Sequence, residues 1–567
     1  MPQKPVHSSD KVKKLNTIQA VDTMQTVVEP NTEAKQAYIR ARQYFRSGNL
    51  RAAQDAAEEV VRHSPAFASG RRLYADILIG LNQFAAARGQ LDSALQAFAD
   101  QVDRRRPILL HKAISFVREG DLAGALAVLT TSDLEPVEAL DAALLSQLGY
   151  LLTLCESHDA ALRVFECALA GQPDDPLFLF NCAAANRAMG NLARAEELYD
   201  RVLSLNPQDW EAYKNRSDLR KQNLQRNHVA ELQQQLALCD LPDVARVQLQ
   251  FALAKEFEDL GQHAESFTAL QRGCEVRRKS IDYAVTDDLS IMSDIAARFT
   301  PDFLAGADVP SDFGKEIIFV LGMPRTGSTL LDRVLCASGE VVSAGEPDTF
   351  ARLLLQEAAN VQGADGDSAR NIILQAGESL DMHFLGRAYV QQLRARAQLA
   401  GGRRIIDKNP MNFLYLGWIA RALPGAKIIH LCRNPMDTCY AVYKTLFKTA
   451  YPFSYSQSEM AQYYGGYHQL MQHWRDTLPE RIIDVHYESL VSDLPSAGQA
   501  LYRRCDLPWD DAVATRYYKA GKGTATASAA QVHQPVYQTS LNKWRNYAAQ
   551  LQPMRDILVQ ADIAVDK

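Results

Sequence analysis

From residue 34 to about 280 the apolar residues recur at helical spacing, interrupted at regular intervals by small residues and prolines. A period of 34 residues runs through this stretch. Pro173 and Pro207 stand one period apart, and so do Ala161 and Ala195, Phe165 and Tyr199, and Gly149 and Ala183. Such a pattern predicts pairs of helices in which a small residue lets two helices approach and proline ends the second. Earlier copies run through Gly48, Ala53 and Pro65, then Ala87 and Leu91, then Gly120 and Ala125. A later copy, LAKEFEDLGQHAESFTAL, places the same turn at Gly261. The polar, aperiodic residues 1–30 read as a disordered tail, 31–280 as a helical solenoid and 281–312 as a helical linker.

Beyond residue 313 the period changes. A buried strand is expected at Glu316–Leu321, then a tight loop and a helix from about Ser328. The short apolar run RRIIDKNP, a helix over MNFLYLGWIARAL, a strand in AKIIHLCRNP, a helix after Pro435 and a strand in RIIDVHYESL follow. Strands alternating with helices predict a parallel sheet covered on both faces, with ligands beyond the C-terminal strand ends. The repeat units resemble tetratricopeptide repeats, which implies a groove open to peptides or a scaffold. The fold expected is therefore an all-α tetratricopeptide-like solenoid followed by an α/β P-loop-like parallel-sheet domain over 313–567.

Composition narrows the function classes. At 567 residues the chain exceeds one hydrophobic core. A net charge of −6 argues against a surface that wraps nucleic acid. The longest apolar runs fall short of the roughly 20 residues a spanning helix needs, and the first residues, MPQKPVHSSDKVKK, have no apolar signal core. Nine cysteines without a C-x-x-C pair fit reduced thiols, so a cytoplasmic protein is expected, not at a membrane. The histidines show no helical metal spacing, and no metal is expected.

Candidate chemistry clusters where the sheet would end. The loop Gly322-Met323-Pro324-Arg325-Thr326-Gly327-Ser328-Thr329 has the spacing of a phosphate cradle, with a helix N-terminus and two hydroxyls behind it. A nucleotide-hydrolysing P-loop has Lys directly after the second glycine; this loop has Ser328, and its only cation is Arg325. A γ-phosphate with magnesium is thus poorly served, which argues against a kinase-like enzyme. In LCRNPMDTCYAVY, Arg433 ends a strand where a guanidinium can hold phosphate in bidentate fashion, with Asp437 and Thr438 opening the next helix.

At these two segments the chain resembles the sulfotransferases that use 3′-phosphoadenosine-5′-phosphosulfate (PAPS) and release 3′-phosphoadenosine-5′-phosphate (PAP). With the downstream Gly-Glu and Asp-Lys-x-Pro, it is similar to the protein-tyrosine sulfotransferase branch, and closer still to bacterial members with N-terminal tetratricopeptide repeats. The resemblance implies that Arg325, Thr326, Gly327, Ser328 and Thr329 hold the 5′-phosphosulfate and Arg433 the 3′-phosphate. It implies that Tyr487 helps hold the nucleotide, and that Ser528 and Lys543 belong to a late loop over the donor. Glu346 takes the position of the general base and Lys408 that of the cation for the leaving phosphate. His430 and His486 are rival bases, both expected to be packed and neutral. One departure stands out: where the family carries a serine in the helix after the 3′-phosphate arginine, this chain has Ala441.

The acceptor is a hydroxyl. Repeats that grip peptides favour a protein tyrosine, yet no arginine lies between Glu346 and Arg352 to read acidic flanks, so a glycan or small-molecule hydroxyl stays open. A homodimer is compatible with the repeats. The competing reading is a repeat-based interaction protein whose transferase domain is weak or inactive, for which Ala441 is the best argument.

Overall fold

The computed structural model describes residues 30–305, 309–362, 373–374, 379–397, 403–517 and 539–566. The expected tail and Ser528 lie outside these residues. The chain forms two compact units that divide between Met189 and Gly190.

The first unit is built of antiparallel helix pairs. Asn31, Asn49, Asp121 and Asp141 cap helix starts by accepting a backbone N–H three residues on. The repeat spacing has a steric cause that is visible at Gly149. A Cβ there would meet the Phe165 ring at 2.5 Å, so only glycine lets helix Ala142–Leu154 lie against His158–Gly171. Ala161 and Phe165 are buried, as their class in the period requires, and the second helix stops before Pro173.

The second unit begins with helices of the same repeat pattern and continues into the sheet. Its last repeat pair is α1 (Asp243–Asp259) and α2 (His263–Lys279), turning at Gly261 with φ +76°. These helices belong with the sheet domain rather than with the first unit. The contacts explain why: Arg278 binds the Glu459 carboxylate at 2.6 Å, and the Tyr455 ring meets Phe251 edge-on at 6.3 Å. Phe299, just beyond helix Val285–Arg298, packs against Trp418 and Trp474.

Five parallel strands follow: β1 (Ile317–Gly322), β2 (Val341–Ser343), β3 (Arg404–Lys408), β4 (Lys427–Cys432) and β5 (Ile482–His486), in the order β2-β3-β1-β4-β5. β1 is buried along its whole length, because both faces are covered. Ile318 and Val320 pack with Ile406, Ile429 and Leu431 beneath α3 (Ser328–Cys336), while Phe319 stacks on Tyr389 on the opposite face. The other helices used below are α4 (Pro435–Tyr443) and α5 (Gln457–Thr477).

The predicted strands and loop–helix junction are present, with two differences. β2 was not expected. The segment read as one helix over MNFLYLGWIARAL is a 3-10 turn, Pro410–Tyr415, followed by helix Leu416–Ala422. Asn409 caps the turn by accepting from Met411 N–H, and Gly417 lies so near Phe299 that a Cβ would sit 2.3 Å from its ring.

Candidate active site

The centre of the site is the turn between β1 and α3. Gly322 leaves the strand at φ +142°, with Leu431 O 2.7 Å from where a Cβ would stand. Arg325 adopts φ +65°, a left-handed conformation unusual for a side-chain-bearing residue, and Gly327 follows at φ +102°. A Cβ on Gly327 would collide with the Tyr487 ring at 2.4 Å. The Thr326 hydroxyl donates to Met323 O at 2.8 Å and the residue is buried. Its side chain therefore shapes the loop. Ser328 and Thr329 open α3 half-buried, and no side chain caps the helix start. The first-turn N–H groups thus have no side-chain cap, and a helix start of this kind attracts an anion.

Glu346 and Lys408 come from adjacent strand ends. Backbone pairing continues past β2: Ala344 N–H donates to Ile406 O at 2.8 Å, and Lys408 N–H to Gly345 O at 3.0 Å. Asn409 Nδ2 donates to Pro347 O at 2.9 Å, which fixes the Glu346 turn from both sides. The Lys408 ammonium bonds directly to the Glu346 carboxylate. Lys408 is buried, whereas the Glu346 side chain is 44% exposed, so the pair points outward. The preceding Asp407 is wholly buried, accepting from Tyr389 OH at 2.6 Å and Asn412 Nδ2 at 2.9 Å. Burial pushes its carboxyl up to about 7 despite those bonds.

Two neighbours of this pair gave no sequence signal. Asp332 on α3 has one carboxyl oxygen, Oδ1, buried without a partner among the described residues. Burial raises its pKa, and Lys408 is the strongest opposing charge. Tyr451 stands at φ +57°, its hydroxyl made less acidic by burial and by the Glu346 charge. Neither belongs to a recognisable local motif.

Arg433, at the end of β4, clamps two segments. It donates through Nη1 to Arg325 O at 3.0 Å and through Nη2 to Ser540 O at 2.7 Å, and its guanidinium lies 4.9 Å from the Tyr487 ring centre. Its Nε is buried without a partner among the described residues. Tyr487 OH and Ser540 Oγ share a hydrogen bond at 2.8 Å. Asp437 accepts from Asn542 N–H at 2.6 Å and Trp544 N–H at 3.2 Å, so the late segment is seated on the start of α4. Ala441 is half-buried; the Thr438 hydroxyl is directed to Arg433 O at 3.4 Å and that of Thr445 to Ala441 O at 2.8 Å. Lys543, expected to face a phosphate, is paired at 2.9 Å with Glu258 of α1.

The two histidines differ. His430 is packed as expected: Nδ1 lies 2.6 Å from Asp484 Oδ1, and Nε2 meets Tyr467 OH. Burial lowers its basicity more than Asp484 raises it. His486 is exposed, contrary to the packed imidazole expected, because it stands at the last residue of β5 where the sheet face ends. The fold also gathers His430, Cys432 and Asp484 with their ligand-type atoms within 4.8 Å, a grouping that spacing along the chain does not announce. The Asp484 carboxylate is already held by Arg475 at 3.0 Å.

A left-handed loop and an uncapped helix start follow the central strand of a parallel sheet, the arrangement of a P-loop-like α/β domain. Residues 317–511 match the sulfotransferase family, and residues 156–215 match the tetratricopeptide repeat. Among known proteins, an uncharacterized protein of Aquifex aeolicus is 29% identical over 380 residues, 65% of this chain and 48% of that one. A protein-tyrosine sulfotransferase of Drosophila melanogaster is 22% identical over 237 residues, covering 40% of this chain and 46% of the relative. Nodulation protein NoeE of Sinorhizobium fredii is 33% identical over 141 residues, 24% and 31% of the two chains. The chain spans about half the length of the first two relatives. It joins tetratricopeptide repeats to a domain of the sulfotransferase family. No helix of the described residues is long and apolar enough to cross a membrane.

Proposed function

We propose that this chain moves a sulfuryl group from PAPS to a hydroxyl acceptor. The observation that carries the reading is the Glu346–Lys408 pair, set beside the β1–α3 loop at the ends of β2 and β3. PAPS supplies an activated sulfuryl group on a phosphate leaving group. Around it the chain offers the N–H groups of Thr326 to Thr329 and the cations Arg325, Arg433 and Lys543, with the buried Arg433 Nε, which has no partner among the described residues, open to a phosphate.

Glu346 takes the acceptor's proton as the acceptor oxygen bonds to sulfur. Lys408 stabilises the charge that collects on the phosphate oxygen as its bond to sulfur breaks. Both roles need the same spot, which the direct contact between the two side chains supplies. His430 is poorly suited to act as base, since both its ring nitrogens are engaged and the residue is buried.

Similarity to protein-tyrosine sulfotransferases and the presence of repeats support a peptide or protein tyrosine as acceptor. The test is transfer from labelled PAPS into a host lysate separated into protein and small-molecule fractions. Label on protein tyrosine supports this reading; label confined to small molecules moves the acceptor to a glycan or metabolite hydroxyl. An inactive interaction module would give no transfer and no PAP binding.

A further inference from the structure

Glu258 belongs to the last repeat pair, yet its carboxylate sits among residues of the sheet domain. Oε1 accepts from Lys444 at 2.7 Å and from Lys543 at 2.9 Å. Oε2 accepts from Tyr440 OH at 2.7 Å, from Lys444 at 3.0 Å and, more weakly, from Tyr547 OH at 3.4 Å. Lys444 caps the C-terminus of α4, the helix whose other end follows Arg433. Lys543 lies in the segment seated on Asp437 and joined to Arg433 through Ser540 O. One repeat residue therefore fixes a cation from each of the two segments that flank Arg433.

Two ammonium groups share one carboxylate, and Arg325 stands close enough to act on Lys444. Burial alone would raise the Glu258 carboxyl, but the charges and hydrogen bonds of Lys444 and Lys543 outweigh it and hold it well below the usual carboxylate range. Glu258 thus stays ionised and bonds to both ammonium groups.

We propose that Glu258 is a positioning residue for the sulfuryl donor: from the last repeat helix it holds Lys444 and Lys543 where one of the donor's phosphates meets them. The proposal rests on the PAPS reading above. It makes the last repeat pair part of the donor site, in addition to whatever the repeat groove binds. Without the carboxylate the two lysines repel each other, Lys543 loses its fixed place, and a phosphate must order it on binding.

The experiment is a double-mutant cycle on the full chain, read by calorimetric titration with PAP and by steady-state kinetics. Glu258→Gln is expected to weaken PAP by about tenfold or more and to raise the donor KM similarly, with the loss appearing in KM rather than in kcat. In a Lys543→Met background the same substitution should cost less than about twofold, because the residue it acts through is gone. Glu258→Asp, which keeps the charge, should recover most of the affinity; if Glu258→Gln does not fold, Lys543→Met alone must weaken PAP by about tenfold or more for the proposal to stand.

Equal losses in both backgrounds would overturn the proposal and leave Glu258 as a packing contact. Tighter PAP binding by Glu258→Gln would also overturn it, since the carboxylate would then be a competitor for the lysines. If the unmodified chain fails to bind PAP, the donor reading itself falls.

Discussion

Lys408 and Glu346 bond to each other across two strand ends, the first buried and the second open to solvent. Each is therefore the other's partner until substrates arrive, and removing either leaves the survivor altered. Glu346→Gln keeps the shape and can still accept from Lys408, but it cannot take a proton, so kcat should fall by roughly 10²–10⁴-fold with PAP affinity little changed. Lys408→Ala should also depress kcat, and its defect should shrink with a donor such as an activated aryl sulfate. The Glu346→Gln defect should shrink instead with acceptors of low pKa. Near-full activity of Glu346→Gln on an ordinary phenol would place the base elsewhere, with the exposed His486 next in line.

Arg433 binds two carbonyls of its own chain, so its removal should do more than delete one phosphate contact. Arg433→Ala is expected to weaken PAP far more than adenosine-5′-phosphosulfate, which lacks the 3′-phosphate. A smaller loss for the second ligand should remain, because the loop carbonyl at Arg325 is no longer held. Calorimetric titration of both ligands checks this, and equal losses would remove the 3′-phosphate role.

At Ala441 the surrounding hydroxyls are directed to backbone carbonyls, and the position is half-buried on α4. Ala441→Ser should tighten PAP by up to about tenfold, equivalent to one modest hydrogen bond. Unchanged affinity in the same titration would show that the helix face at 441 does not reach the 3′-phosphate.

Asp407 offers a test by pH. Its carboxyl is raised to about 7 in the folded chain, against an ordinary value of 3.8. The folded state thus binds this proton more tightly than the unfolded state, so the group's contribution to stability is greatest at low pH and declines as pH rises from about 4 to about 7. The full change is on the order of 2–4 kcal/mol. Asp407→Asn should therefore cost more stability at pH 5 than at pH 8 in urea unfolding. A cost that grows with pH would show an ionised, stabilised carboxylate instead.

The parts of this site legible in the sequence share one property: local spacing creates them. The run Ile317–Leu321 followed by Pro324, Arg325, Gly327 and Ser328 dictates a buried strand, a left-handed turn and a helix start within a dozen residues. Arg433 and Lys408 were readable for the same reason, each closing an apolar run. β2 was not, because three residues between a glycine turn and a glycine-containing loop carry too little pattern. Asp332, Tyr451 and Glu258 act through approaches between distant segments. Glu258 looks like any polar residue of an amphipathic repeat, and only folding brings it to Lys444 and Lys543. His486 differs from the packed imidazole expected because the last residue of β5 no longer has the sheet's cover over it.

The division between Met189 and Gly190 has a consequence for anyone cutting the gene. The family match begins at residue 317, which invites a catalytic fragment starting there. Such a fragment would strip Glu459 of Arg278, leave Trp418 and Trp474 without Phe299, and abandon Lys444 and Lys543 to each other. A fragment opening near residue 190 keeps all of these contacts. The shortest autonomous fragment of this chain that holds the sheet should therefore carry more than a hundred residues that a family boundary would discard, and its expression yield beside that of the shorter cut would show it.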